Sequence, residues 1–327
     1  MQYLDLTVVE QAWAWLNRDE TVWLCTVLST FGSSPREPGA MLVARADGQH
    51  VGSLSGGCVE EDFLERLSAG AFSQPVQCVR YGGQEGLGGS RVTLPCGGTL
   101  DVLIERMAPG SDSLLHLETL LATLRGEQAL TRRVDLDSGE KTFVEDGGVG
   151  PRVVLSEACR VASIRVGPAV RLIIAGLSTV SIACAEFARQ LGYEVIVCDP
   201  REEALNSVHL EGLSVEPVLP SIYIASPGAC HPATAIVALT HDPRIDDLAM
   251  MEAVNTPAFY IGVMGSRQSS LARAERLRRT GGLSESEIAR INMPIGLALG
   301  SKTPAEIALA VMADILRVQR GKTRDAL

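Results

Sequence analysis

Apolar positions along the chain follow two regimes. Up to about residue 155, short alternating runs are broken by turns rich in glycine and proline, whereas beyond 165 apolar strands and helical stretches succeed one another regularly. Residues 4–18 read as an opening helix, "TVWLCTVLST" (21–30) as a strand, and "FGSSPREPGA" (31–40) as a loop. In that loop Pro35 and Pro38 block helix, while Gly32 and Gly39 permit sharp turns. "MLVARADGQHVGSL" reads as a hairpin turning at Asp47-Gly48. Val59, Phe63, Leu64 and Leu67 recur at helical spacing in "SGGCVEEDFLERLSAG", with Gly70 as the stop. "PVQCVRY" and "TLDVLIERM" read as strands on either side of the glycine-rich "GGQEGLGGSRVTLPCGG" (82–98), a loop or irregular strand. A helix is expected near 112–125, followed by strands and turns through "ALTRRVDLDSGEKTFVEDGGVGPR". Strands then begin near 171, 193, 234 and 258, with helices near 179, 246, 269, 284 and 304, the alternation of a parallel sheet covered on both faces. The expected fold class is α/β: a mixed α/β N-terminal domain (1–155), a boundary region at 156–164, and a C-terminal Rossmann-like doubly wound parallel sheet (165–327).

Composition narrows the function classes. The chain is 46% hydrophobic and 21% charged, with a net charge of −10 and plentiful glycine, as expected of a soluble globular protein. A negative balance weighs against nucleic acid, which needs a basic face to displace counterions from phosphates; the basic run at 273–282 reads as one solvated helix face. No apolar run is long enough for a membrane span, and the N-terminus carries acid where a signal peptide would carry base, so the expected compartment is the cytoplasm. The eight cysteines show no paired spacing and are expected to be reduced, most of them as small core residues.

Candidate chemistry concentrates in three N-terminal segments. "GSLSGGCVEEDF" and "LPCGG" each set a cysteine beside a Gly-Gly pair, Gly56-Gly57-Cys58 and Cys96-Gly97-Gly98, where missing side chains let a ligand approach the backbone. Cys58 sits at a helix start, which favours thiolate, although Glu60 and Glu61 oppose it. The plainer reading is that both cysteines fill small turn pockets. Ser33, Ser34 and Arg36 lie on a loop that follows a strand and offer hydroxyls, amides and a guanidinium to a phosphate or oxyanion; a surface turn with a solvated arginine is the alternative.

Together, "TFGSSPREPGAMLV", "GSLSGGCVEEDF" and "LPCGGTLDVLIE" resemble the N-terminal domain of the xanthine dehydrogenase accessory family (XdhC/CoxI-like). "ALTHDPRIDD", "YIGVMGSRQSSLARAERL" and "PIGLALGSKTPAEIALAVMADIL" look like that family's Rossmann-like domain, and the resemblance spans nearly the whole chain. It implies a carrier of molybdenum cofactor that protects it during sulfuration by a cysteine desulfurase and helps insert it into a molybdenum hydroxylase client. It further implies a homodimer, a maturation chaperone more than an enzyme. Such a carrier needs an anion cradle and close backbone approach, and Cys58 and Cys96 would supply sulfur as metal ligand, persulfide relay or contact.

The second domain departs from a dinucleotide site. In the family the turn after the first strand usually reads G-A-G-H-V-A; here Gly176 is kept, Ser178 replaces the glycine that admits a pyrophosphate, and Thr179 stands where histidine is common. Asp199 lies at about the spacing of a ribose-binding acid, which any βαβ unit with an acidic strand end would give. NAD(P) is therefore not expected, and Ser178 and Thr179 remain to cap the helix or hold a smaller phosphate. His241 in "LTHDPR" and Ser266 and Arg267 in "GSRQSS" follow strands, where open α/β sheets bind ligands. For His241 a helix-start residue bonded to backbone is the alternative. Thr303, Pro304 and Glu306 read as a structural cap. The rival functions are an NAD(P)-dependent oxidoreductase and a binding module that kept the fold and lost the cofactor.

Overall fold

Alternation of side chains along β1 (Val22–Phe31) sends Val22 and Leu24 to one face and Cys25 and Val27 to the other, and β2 (Met41–Ala44) divides Met41 and Val43 from Leu42 and Ala44 in the same way. Both faces are apolar, so both must be covered. α1 (Tyr3–Leu16) and α3 (Ser111–Leu124) cover the first, and α2 (Cys58–Ser68) covers the second with Val59, Phe63 and Leu67. With β3 (His50–Gly52), β4 (Val76–Tyr81) and β5 (Thr99–Met107) these strands form an antiparallel sheet in the order β3-β2-β1-β5-β4. A second sheet, in the order β7-β6-β9-β8, comprises β6 (Leu130–Asp135), β7 (Lys141–Glu145), β8 (Val153–Leu155) and β9 (Val161–Val166). The computed structural model describes residues 3–32, 36–82, 97–146, 151–206 and 213–323.

These elements make up one unit, Met1–Ala169; the other is Val170–Leu327. The 156–164 region holds the turn from β8 to β9 and the start of β9, whose Ala162 and Ile164 are buried in unit 1. Weak periodicity there reflects short strands.

In unit 2 every residue of β10 (Arg171–Ala175) is buried, as a central parallel strand requires. The sheet order is β12-β11-β10-β13-β14-β15, built with β11 (Glu194–Cys198), β12 (Ser214–Glu216), β13 (Thr234–Ala238), β14 (Tyr260–Val263) and β15 (Ile291–Asn292), all parallel. In chain order this is 3-2-1-4-5-6, the Rossmann arrangement, with its switch point between β10 and β13. α4 (Thr179–Gln190) and α10 (Pro304–Gln319) pack on the face of Leu172 and Ile174. α7 (Pro243–Ala253), α8 (Arg267–Arg279) and α9 (Glu285–Ala289) pack on the face of Ile173 and Ala175. The short β12 and β15 lie at the edges and left no pattern in the sequence; α5 (Glu202–Asn206) and α6 (Pro220–Ala225) fill the connections. Thr303, Pro304 and Glu306 form the expected capping box at the start of α10.

Candidate functional site

Antiparallel register gathers the N-terminal motifs at one end of the first sheet. Phe31 opposes Thr99 and Tyr81 opposes Leu100, while the start of β2 lies across from Thr26 and the end of β3 across from Leu42. The chain therefore leaves the sheet at this end through Gly32, Gly82, Gly97, Gly98, the 36–40 turn and the 53–57 turn. Gly32 has a left-handed φ of 83°, which disfavours a side chain, and a Cβ there would stand 3.2 Å from the Gly98 Cα, so two backbones meet closely. Gly97 also has a positive φ, 67°. Ser33, Ser34 and Cys96 lie outside the described residues.

Cys58 is the first residue of α2 and its thiol is exposed and free. The turn before it is shaped by a residue the sequence suggested only as an unfavourable charge. Glu60, 7% exposed, folds back so that its Oε1 accepts from the N–H groups of Leu54, Ser55 and Gly56 and the Ser53 hydroxyl. Its Oε2 accepts from the Gly57 N–H and the Ser55 hydroxyl. Burial opposes ionisation, but the bonds from Ser55, Gly56 and Gly57 outweigh it and hold the carboxyl well below its ordinary range. The Gly56 and Gly57 amides that would cradle an anion thus already serve an internal one. Two further exposed thiols, Cys78 and Cys159, depart from the expected core role, while Cys25, Cys184 and Cys198 are buried.

Arg36 also has a structural task. It lies 3.8 Å from the buried Asp5 of α1, which binds Arg152 at 3.1 Å and accepts from the Met41 N–H. Arg152 donates to the Gly39 carbonyl and occupies the place a Gly39 Cβ would fill, 2.5 Å from its Nε. Across the adjacent strands Asp101 binds Ser29 and Arg80, an arrangement visible only once register is known.

At the switch point of unit 2, Gly176 has a φ of 83° and a Cβ there would reach 2.2 Å from Thr240 Cγ2. The Ser178 hydroxyl donates to the Leu239 carbonyl and accepts from the Ser181 N–H as the cap of α4, which begins at the exposed Thr179. Asp199 is fully buried; it accepts from the Leu177 N–H at 2.6 Å and from the Arg201 N–H, and its carboxylate is clamped by the Arg201 guanidinium. Asp199, the candidate ribose ligand, is thus held by the Leu177 amide and by Arg201.

Beyond the ends of β13 and β14 the chain opens again. His241 takes a left-handed φ of 67°, and its N–H donates to Asp246, which also takes the Thr240 hydroxyl. Burial pushes the Asp246 carboxyl up, against its hydrogen bond from Thr240 and the charge of Arg273. Arg273 binds Asp247 of α7 and the Met264 carbonyl, joining α7 to the loop after β14, while Ser266 caps α8 and Arg267 is exposed at its start. Beside this network lies a cavity of about 370 Å³ lined by His241, Met264, Gly265 and residues from 295 to 310. Among the described residues no group of three or more His, Cys, Asp or Glu could hold a metal ion, and no helix is long and apolar enough to cross a membrane.

The unit 2 sheet has the Rossmann strand order, and unit 1 sets the exposed Cys58 at the start of the helix that covers one face of its antiparallel sheet. Residues 172–315 match the XdhC Rossmann domain and residues 15–82 the XdhC and CoxI family. The chain belongs to the XdhC and CoxI family. It is 27% identical to a probable xanthine dehydrogenase subunit of Bacillus subtilis, over 94% of this chain and 96% of that one. It is 26% identical to the molybdenum cofactor insertion chaperone PaoD of Escherichia coli, over 93% of this chain and 85% of that one. The fold matches a crystal structure described as a xanthine dehydrogenase from Bacillus halodurans, with a TM-score of 0.69, 23% identity, and coverage of 99% of this chain and 98% of that one.

Proposed function

We propose that this chain is a cytoplasmic carrier that binds molybdenum cofactor in unit 1, shelters it while a cysteine desulfurase supplies its sulfido ligand, and delivers it to a molybdenum hydroxylase of the xanthine dehydrogenase type. It works as a homodimer and turns over no substrate of its own. The observation that carries this reading is the exposed Cys58 thiol at the sheet end where the glycine-framed loops emerge. The similarity to an insertion chaperone over 93% of the chain supports it.

The donor chemistry fits in part. A thiol is a soft donor suited to a molybdenum centre, and Cys58 would hold the metal side, with Cys96 as a second sulfur. The cofactor, when bound, brings the redox-active metal and dithiolene; this chain's residues only hold and shield them. The Gly56 and Gly57 amides do not fit the role of anion cradle, because Glu60 takes them. The cofactor phosphate is left to the hydroxyls of Ser33 and Ser34. The oxidoreductase reading is weakened at the turn at 176–181, where the Ser178 hydroxyl caps α4 and Arg201 holds Asp199.

The test is metal and pterin analysis of protein made in cells that produce the cofactor and purified without oxygen. Wild type retains pterin at substoichiometric to equimolar level, and Cys58→Ala weakens retention about tenfold, roughly 1.4 kcal/mol. Cys184→Ala, at a buried α4 position, retains it as wild type does. Wild type devoid of pterin beside a related carrier that keeps it would overturn the reading.

A further inference from the structure

The inner faces of α1 and α3 are spent on the core of unit 1; their outer faces carry a second pattern. Along α3, Leu115, Glu118, Ala122 and Arg125 recur every three or four residues and form one stripe. Glu10, Trp13 and Ala14 of α1 lie beside it. The two helices are tied there side by side: the Trp13 indole N–H donates to Glu118 at 3.3 Å, and Arg125 donates to Glu10 at 3.1 Å. Ala14 and Ala122 contribute only methyl groups, so the surface sinks between the helices into a groove of about 410 Å³ with the buried Leu121 among its walls. Trp13 is 36% exposed at this groove, and Leu115, one turn from Glu118, is 65% exposed. An indole and a leucine left in water beside a trough form apolar surface that a partner would bury.

Charge limits the occupant. Three glutamates, Glu10, Glu118 and Glu127, line the groove against one arginine, and that arginine is engaged with Glu10. Among the described residues no cation pairs with Glu118 or Glu127, and the chain as a whole carries a net charge of −10. Such a rim repels nucleic acid, anionic lipid and acidic peptide, and attracts a basic partner. Exposed ion pairs add little affinity by themselves, so the apolar trough must hold the occupant while the glutamates select its sign and hasten its approach.

We propose that this groove docks a basic amphipathic helix of a partner protein, which sets an apolar side chain into the trough beside Ala14 and Ala122 and lysines or arginines against Glu118 and Glu127. A helix laid into a groove between two others buries an apolar stripe and leaves its flanking charges at the rim, and here the rim has the complementary sign. The surface lies wholly in unit 1, and its assignment does not rest on the cofactor reading.

Calorimetric titration of the full chain at physiological salt tests the site, using a helical peptide of leucine, alanine and lysine and its counterpart with glutamate for lysine. Wild type binds the lysine peptide and not the glutamate peptide. Ala122→Leu fills the trough with no change of charge and weakens binding at least about tenfold. Glu118→Lys combined with Glu127→Lys, both at exposed positions where folding is not at risk, does the same. The same reversal at the exposed Glu186 and Glu203 of unit 2 leaves binding at the wild-type level, which separates the groove from the attraction of net charge alone. Cys58→Ala also binds as wild type. No binding of the lysine peptide, an equal loss in the unit 2 reversal, or binding unchanged in Ala122→Leu overturns the proposal. So does light scattering in which Ala122→Leu lowers the mass of the chain's own assembly, since the occupant is then a second copy.

Discussion

Replacing Glu60 by Gln keeps the size of the side chain and removes the charge on which the 53–57 turn is organised. Four backbone N–H groups and two hydroxyls point at the carboxylate. If the glutamine oxygen takes the Oε1 place, its NH₂ faces the Gly57 N–H, donor against donor, and that amide loses its acceptor. Hydrogen bonds to a charged group contribute about 1.5–3 kcal/mol and neutral ones about 0.5–1.5, while an orphaned amide costs about 1–3. These terms are not additive, and together they give a loss of roughly 2–4 kcal/mol. With a urea slope of about 1–3 kcal/mol per molar, the midpoint should fall by on the order of 1–2 M. The three tryptophans, Trp13, Trp15 and Trp23, all lie in unit 1, so their fluorescence follows this unit alone. The pH dependence has a fixed sign. Glu60 is held below its ordinary 4.5 in the folded state, so its contribution is complete above that value and is lost as pH falls from there toward the depressed native value. The gap between wild type and Glu60→Gln should therefore narrow at pH 3.5. Equal urea midpoints at pH 7, or a gap that widens in acid, would refute the account of the turn.

Two predictions concern the switch point of unit 2. Gly176→Ala forces a side chain into left-handed backbone and against Thr240 Cγ2, 2.2 Å away, at a cost of about 3 kcal/mol or more. Scanning calorimetry should show the unit 2 transition lowered by roughly 6–12 °C, and a drop within error of zero would contradict the contact. Wild type should bind NAD and NADP no tighter than about millimolar. Ser178→Gly should not restore affinity, because Arg201 still clamps Asp199; micromolar binding by wild type would revive the oxidoreductase reading.

The Rossmann sheet was legible because its central strands are apolar throughout and its helices carry their own caps. Ser178, Asp242, Ser266, Ser284 and Thr303 each accept a bond at a helix start. Short edge strands such as Ser214–Glu216 were not, since three residues give no period to read. Segments that pair only with distant partners also stay silent. Asp101 meets Ser29 and Arg80 solely through register, and Asp5 meets Arg36 and Arg152 from far along the chain.

At the candidate site the sequence located residue types and missed their partners. Gly56-Gly57-Cys58 reads as an open backbone until Glu60 is seen to occupy it, and the only sequence signal was a glutamate at the third helical position, the position from which a side chain reaches back to the cap. The same ambiguity governs Asp199: spacing offers a ribose ligand, and only the structure reveals Arg201 on both of its oxygens. In both places an acidic side chain and backbone amides, the materials of an anion site, satisfy one another inside the protein. No ligand can be held by those amides without displacing a buried carboxylate.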